Sequence, residues 1–306
     1  MVFVASDLTL DREVAVKLLS SYETVTDKSR AAFEREARVL ATLKHSNIVP
    51  LYDYGSSDGT PYLVMEMIDG QPLSKLLATT DVDDADCVAL TLQAARALSY
   101  SHKRGVLHRD IKPHNIMIEN DGRLRQIDFG TSHSMGTTGQ FTEAGEVKGT
   151  PAYMAPECLQ GAPPSVASDI YSLGRVLAQL FWTRPVPASF RPSTPAEVRE
   201  LILWMTHEDA AHRPRDMGTV EARLAGIARS IGDPAGKTGG AVADILTQQV
   251  QPAPRPQITR PDVAMVCSSL GPNHLEVLVA RPASLLHLWW DGGSWSEWVV
   301  MDRLPD

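Results

Sequence analysis

Residues 106–118, VLHRDIKPHNIMI, constrain this chain more than any other stretch. Two short apolar segments enclose His108, Arg109, Asp110, Lys112 and Asn115. A short loop flanked by strands can point Asp110, Lys112 and Asn115 into one cleft. There the carboxylate can take a hydroxyl proton, the ammonium can neutralise a phosphate and the amide oxygen can bind Mg²⁺.

A chain of 306 residues suits one large or two ordinary domains. Hydrophobic residues at 43% and charged residues at 22% leave ample material for a core. The net charge of −8 argues against nucleic acid or an anionic membrane as the main partner. Cys87, Cys158 and Cys267 are isolated, without metal-ligand spacing, so neither disulfides nor zinc are expected. No apolar run approaches the roughly 20 residues that a membrane span needs. The start, MVFVASDLTL, is too short and too acidic for a secretory signal, so a cytoplasmic protein is expected.

Along the chain, VFVA (2–5) and EVAVKLL (13–19) flank a polar turn and read as a hairpin. Residues 27–43 place Phe33, Ala37, Leu40 and Leu43 on one helical face, with Asp27 or Ser29 as cap. HSNIVPLYDYG and TPYLVMEMIDG supply two further strands. An Ala- and Leu-rich helix follows from Asp84 to Arg104, closed by Gly105. Residues 131–148 are rich in Gly, Ser and Thr, as a mobile loop is. SDIYSLGRVLAQLF reads as an apolar helix.

HRDIKPHN followed by IDFG and then by GTPAYMAPE resembles the motif series of bacterial eukaryotic-like serine/threonine protein kinases. The resemblance covers residues 1–228. It implies an α+β, two-lobed fold with a small β-rich N-lobe, a larger helical C-lobe and a short β-rich C-terminal segment. It also implies ATP and Mg²⁺ as cofactors and protein Ser/Thr hydroxyls as acceptors, with self-phosphorylation. Asp110 becomes the catalytic base and Lys112 its phosphate partner, and Asn115 and Asp128 become the Mg²⁺ ligands. Lys17 becomes the phosphate-gripping lysine, fixed by Glu36, with Glu34 as the competing candidate. Val2 and Ala15 roof the adenine, Met117 is its floor, and Glu66 and Met67 form the hinge. Arg109 receives an activating phosphate from Thr137, Thr138 or Thr142, and Thr150 bonds to the catalytic Asp and Lys. Asp169 is a buried anchor, and Arg213 pairs with Glu157, both buried. Lysine two after Asp110, together with Thr150, is the serine/threonine pattern.

Two departures stand against that family. Val2 matches the valine closing the glycine-rich loop, so its three glycines and the preceding strand are missing, which leaves VFVA as an apolar edge. A misplaced start codon or truncated gene product would account for this, and impaired activity or a pseudokinase-like scaffold would follow. Between Pro185 and Pro195 the family's longer docking segment is replaced by a short run.

Residues 229–262 are rich in Pro, Gly and Gln and read as a linker, with a short helix at AVADILTQQV. In residues 263–306, LEVLVA, LLHLWW and WSEWVV read as strands, and the stretch resembles one blade of a lectin-like β-propeller. No second copy is present. A lone blade leaves strand edges and Trp289, Trp290, Trp295 and Trp298 underburied, so a loosely attached segment is expected; the alternatives are a ligand- or partner-binding tail and a small β-meander packed on the kinase part through its tryptophans.

Overall fold

The computed structural model describes residues 2–7, 10–18, 27–57, 60–129, 151–182, 190–231, 264–271, 274–281, 284–290 and 299–301. In chain order the elements are β1 (Val2–Asp7), β2 (Arg12–Leu18), α1 (Asp27–Ala41), β3 (Leu51–Ser57), β4 (Thr60–Glu66) and β5 (Gly70–Pro72). Next come α2 (Leu73–Thr79), α3 (Asp84–His102), β6 (Ile116–Glu119), β7 (Leu124–Gln126), α4 (Pro156–Leu159) and α5 (Val166–Leu180). The chain continues through α6 (Ala196–Met205), α7 (Met217–Ser230), β8 (Ala264–Gly271), β9 (His274–Arg281), β10 (Ser284–Trp290) and β11 (Val299–Met301).

It divides into two compact units. Residues 1–26, 50–68 and 252–306 form the first, and 27–49 and 69–251 the second. In the first, β1, β2, β4 and β3 make an antiparallel sheet in the order β1-β2-β4-β3. Its hairpin turn is fixed by Asp7, which accepts the Leu10 N–H at 3.2 Å and pairs with Arg12 Nε at 3.2 Å. Alternation buries Phe3, Val14 and Leu63. The tail strands make a second antiparallel sheet, ordered β11-β10-β9-β8. Strand β8 was not read from the sequence: its Cys-Ser-Ser centre lacks the branched apolar run that marks β9 and β10.

The second unit is helical. Helix α3 starts on Asp83, whose carboxylate accepts the Asp86 N–H at 2.7 Å. It ends before Gly105, which has φ +73°, a conformation that glycine adopts without strain. Its weak amphipathicity has a simple cause, since residues on every side of α3 are buried. Helix α5 opens with a reciprocal Ser165–Ser168 capping box. Gly174 of α5 faces Met205 and Thr206 so closely that a Cβ would lie 2.8 Å from a side-chain carbon of each. Phe181, Leu98, Ile170, Leu173, Leu201 and Leu224 build the core between α3, α5, α6 and α7. Leu43 belongs to this core and Leu40 packs against it, while Phe33 and Ala37 are also buried, the face that periodicity predicted for α1. A small sheet is ordered β5-β6-β7. Asn47 ties it to α3, donating to Gln93 Oε1 (2.8 Å) and Leu124 O (2.7 Å). Helix α7 runs through Ser230, into the stretch read as linker, and AVADILTQQV lies outside the described residues.

Candidate active site

The site is built from α5 outward. Asp169, 1% exposed, accepts the His108 N–H on Oδ2 (2.8 Å) and the Arg109 N–H on Oδ1 (2.9 Å). Its Oδ2 also lies 2.8 Å from Nε2 of His102, at the end of α3. Arg109 has φ 69°, a left-handed conformation that a non-glycine residue keeps only when its surroundings hold it. The buried carboxylate supplies that hold, as an anchor was expected to.

One residue on, Asp110 meets its partners. Lys112 Nζ lies 2.8 Å from Asp110 Oδ2. Asn115 donates from Nδ2 to both Asp110 O and Asp110 Oδ2, each at 2.8 Å. The backbone closes the turn through Asn115 N–H to Lys112 O at 2.9 Å. Both side-chain contacts fall on Oδ2. Asp110, Lys112 and Asn115 therefore converge, as their spacing predicted.

Asp128 enters through the backbone. Ile127 N–H donates to Asn115 O at 3.0 Å, which places the next residue beside the loop. Asp128 also has a left-handed φ, 65°. Phe129, 4% exposed, packs its ring 4.4 Å from that of His108. Burial pushes the His108 pKa down, against the upward pull of Asp169, Asp110 and Asp128.

Behind the loop, Arg213 makes five hydrogen bonds, two of them to Glu157 at 2.7 and 2.8 Å. The expectation that both partners are buried needs correction. The Arg213 side chain is 0% exposed but that of Glu157 is 25% exposed, because α4 lies at the surface of its unit. Burial pushes the Glu157 pKa up, but the Arg213 hydrogen bond, a backbone N–H and the Arg213 charge together hold it below the usual range. A small cavity beside Asp110 is lined by Arg109, Ile111, Met154 and Cys158.

Met117 lies half-buried in β6 of the helical unit. In the other unit, Val2 is 51% exposed and stands opposite Lys17 in the β1–β2 ladder, while Ala15 stands opposite Met65. Glu66 and Met67 are half-buried at and just beyond the end of β4, and Glu66 N–H donates to Pro50 O at 3.1 Å. Glu36 lies on the backbone of α1, its side chain outside the described residues, and Glu34 pairs with Arg38 at 3.4 Å. Thr137, Thr138, Thr142 and Thr150 lie outside the described residues. His102, His108 and Phe129 were missed as site residues. Their only signal was nearness to the loop or to Asp128, and nothing in the spacing pairs His102 with a carboxylate 67 positions away.

A small antiparallel sheet, a helical unit centred on buried helices and an Asp-Lys-Asn loop anchored on a buried aspartate define the α+β protein-kinase class. The chain belongs to the protein kinase domain family, which matches residues 1–223. It is 33% identical over 244 residues to serine/threonine-protein kinase PrkC of Bacillus subtilis, covering 73% of this chain and 38% of that protein. It is 34% identical over 252 residues to the DNA damage-responsive serine/threonine-protein kinase RqkA of Deinococcus radiodurans, covering 74% and 37%. With the probable serine/threonine-protein kinase SCO3848 of Streptomyces coelicolor it shares 38% identity over 190 residues, covering 60% and 28%. The chain thus spans well under half the length of these relatives. Among the described residues, no helix is long and apolar enough to cross a membrane.

Proposed function

We propose that this chain transfers the γ-phosphate of ATP to serine or threonine hydroxyls of proteins. The observation that carries this reading is the Asp110–Lys112–Asn115 constellation, held on Asp169. Asp110 orients the hydroxyl and accepts its proton, and Lys112 offsets charge on the transferred phosphoryl group. Lys17 holds the α- and β-phosphates, with Glu36 as its partner. Val2, Ala15, Glu66, Met67 and Met117 surround the adenine.

The donor set suits Mg²⁺. Asn115 spends its Nδ2 on Asp110, which leaves its amide oxygen for a cation, and Asp128 adds a carboxylate. Two hard oxygen ligands completed by phosphate and water are what Mg²⁺ takes in nucleotide sites. Bound there, the ion neutralises charge on the phosphates. Thr137, Thr138 and Thr142 are the proposed acceptors for self-phosphorylation read by Arg109, and Thr150 the partner of Asp110 and Lys112. Residues 1–228 are the proposed kinase part, 229–262 the linker and 263–306 the blade-like segment. A cytoplasmic location is part of the same reading.

Asp110→Asn and Asp128→Asn should each abolish ³²P transfer from ATP to a protein acceptor while leaving the fold intact by circular dichroism. Equal incorporation by wild type and both variants would sink the enzyme reading.

One observation favours a weaker enzyme, or a scaffold, for these residues by themselves: the 306 residues contain no G-x-G-x-x-G. Hydrogen bonds to charged groups are worth about 1.5–3 kcal/mol each, so two backbone donors fewer at the phosphates costs about 3–6 kcal/mol. That is a factor of about 10²–10⁴ in affinity or rate. An N-terminal extension carrying a strand and G-x-G-x-x-G should restore both Mg-ATP affinity and turnover. Equal values for the two proteins would show that another segment covers the phosphates.

A further inference from the structure

Apart from Asp169, already spent on the catalytic loop, and Tyr171, the polar residues of α5 fall on one stripe. Ser168, Ser172, Arg175 and Gln179 recur at helical spacing, which puts them on one face of the helix. Ser168 closes the capping box, Ser172 donates to Ser168 O at 3.0 Å, and both line the cavity beside Asp110. The other two reach the short turn Pro151–Tyr153, which packs on α5. Arg175 Nε donates to Ala152 O at 3.0 Å, and Tyr153 donates its hydroxyl to Gln179 Oε1. The Arg175 guanidinium also lies 5.1 Å from the centroid of the Trp182 ring, a contact that directs it. Burial pushes the Tyr153 pKa up, opposed by the Gln179 bond and the Arg175 charge.

That turn lies where an acceptor has to pass. Tyr153 and Met154 line the same cavity as Asp110. A protein whose hydroxyl reaches Asp110 lays its neighbouring residues against that wall. The turn has little local support of its own: Pro151 and Ala152 are exposed, and its backbone is closed by Met154 N–H to Pro151 O at 3.2 Å. Single turns of this tight kind are weak structures by themselves. Contacts from α5 therefore decide where it sits.

We propose that Arg175 and Gln179 are positioning residues, which hold the turn Pro151–Tyr153 where it sets affinity for the protein acceptor and leave ATP binding and turnover alone. The hold stands on the contacts themselves, while the acceptor role rests on the kinase reading proposed above. Losing such a hold removes binding that ground state and transition state share, which raises KM and spares kcat.

Two readouts on the full chain test this. Arg175→Met keeps an apolar stem and removes the donor, and Gln179→Leu keeps bulk and removes the acceptor. In the double variant the Met154 amide should exchange about tenfold faster, while the amides of α3 and α5 keep their protection. In steady-state ³²P transfer to casein, the same variant should raise the KM for casein about fivefold or more, with kcat and the KM for ATP within about twofold of wild type. Each single variant, less disruptive, should move both readouts in the same direction by less. Gln179→Glu, which keeps an acceptor oxygen for Tyr153, should match the wild type in both. Exchange at Met154 that is unmoved in the double variant would overturn the hold. Faster exchange with an unchanged KM for casein, or a fall in kcat with that KM unmoved, would overturn the acceptor role. Absence of any transfer by the wild type would refute the kinase reading and the acceptor role with it, and exchange would still decide the hold.

Discussion

Replacing Arg213 tests how α4 is held. Its guanidinium is fully buried and has five N–H donors, all used. Two go to Glu157, and the others reach His207 O (2.8 Å), Ala167 O (3.0 Å) and Glu208 O (3.0 Å). Arg213→Ala strips three backbone carbonyls of that donor and leaves a carboxylate that water can still reach. Removing one member of a buried pair costs about 3–5 kcal/mol. Glu157→Gln is milder. It keeps one acceptor oxygen and loses one charge-assisted bond, worth about 1.5–3 kcal/mol. The partial exposure of Glu157 puts its loss at the lower end. Urea unfolding followed by circular dichroism on both single variants and on the double variant measures the costs and their coupling. If Arg213→Ala costs under about 1 kcal/mol, or less than Glu157→Gln, the view of Arg213 as a fully committed buried cation fails.

Gly174→Ala pushes a methyl into Met205 and Thr206 at 2.8 Å. Overpacking of this kind costs about 1–3 kcal/mol, against about 1 kcal/mol gained in helix propensity. A net loss should appear as a lower urea midpoint, and an unchanged or higher midpoint would show that α6 yields freely. The pH dependence of stability has a definite sign. His108 and His45 have pKa values held below 6.5, chiefly by burial, so the unfolded chain binds the extra protons. Their contribution is complete above pH 6.5 and fades as pH falls through the depressed folded values. Glu157, also depressed, adds a second loss below the ordinary glutamate value of 4.5. Urea midpoints measured from pH 8 to pH 4 should therefore decline from about pH 6.5, and a flat profile down to pH 5 would contradict the burial of the two imidazoles.

The catalytic stretch was legible because its chemistry is contiguous. Asp110, Lys112 and Asn115 lie within six residues, and a single turn brings them together whatever surrounds it. The β1–β2 hairpin and the buried face of α1 were legible for a similar reason, since periods of 2 and 3.6 record local geometry. The Glu157–Arg213 pair could be named only through the family resemblance, and its uneven burial could not be read at all, because exposure depends on where α4 meets solvent. Asp169 gathers His102, His108 and Arg109 from positions 60 to 67 residues away, contacts that no local pattern encodes. Strand β8 escaped notice because its ladder with β9, more than its own residues, makes it a strand. Sequence fixes what a residue can do; packing distant segments together decides which partner it does it with, because burial and hydrogen bonding are properties of the assembled interior.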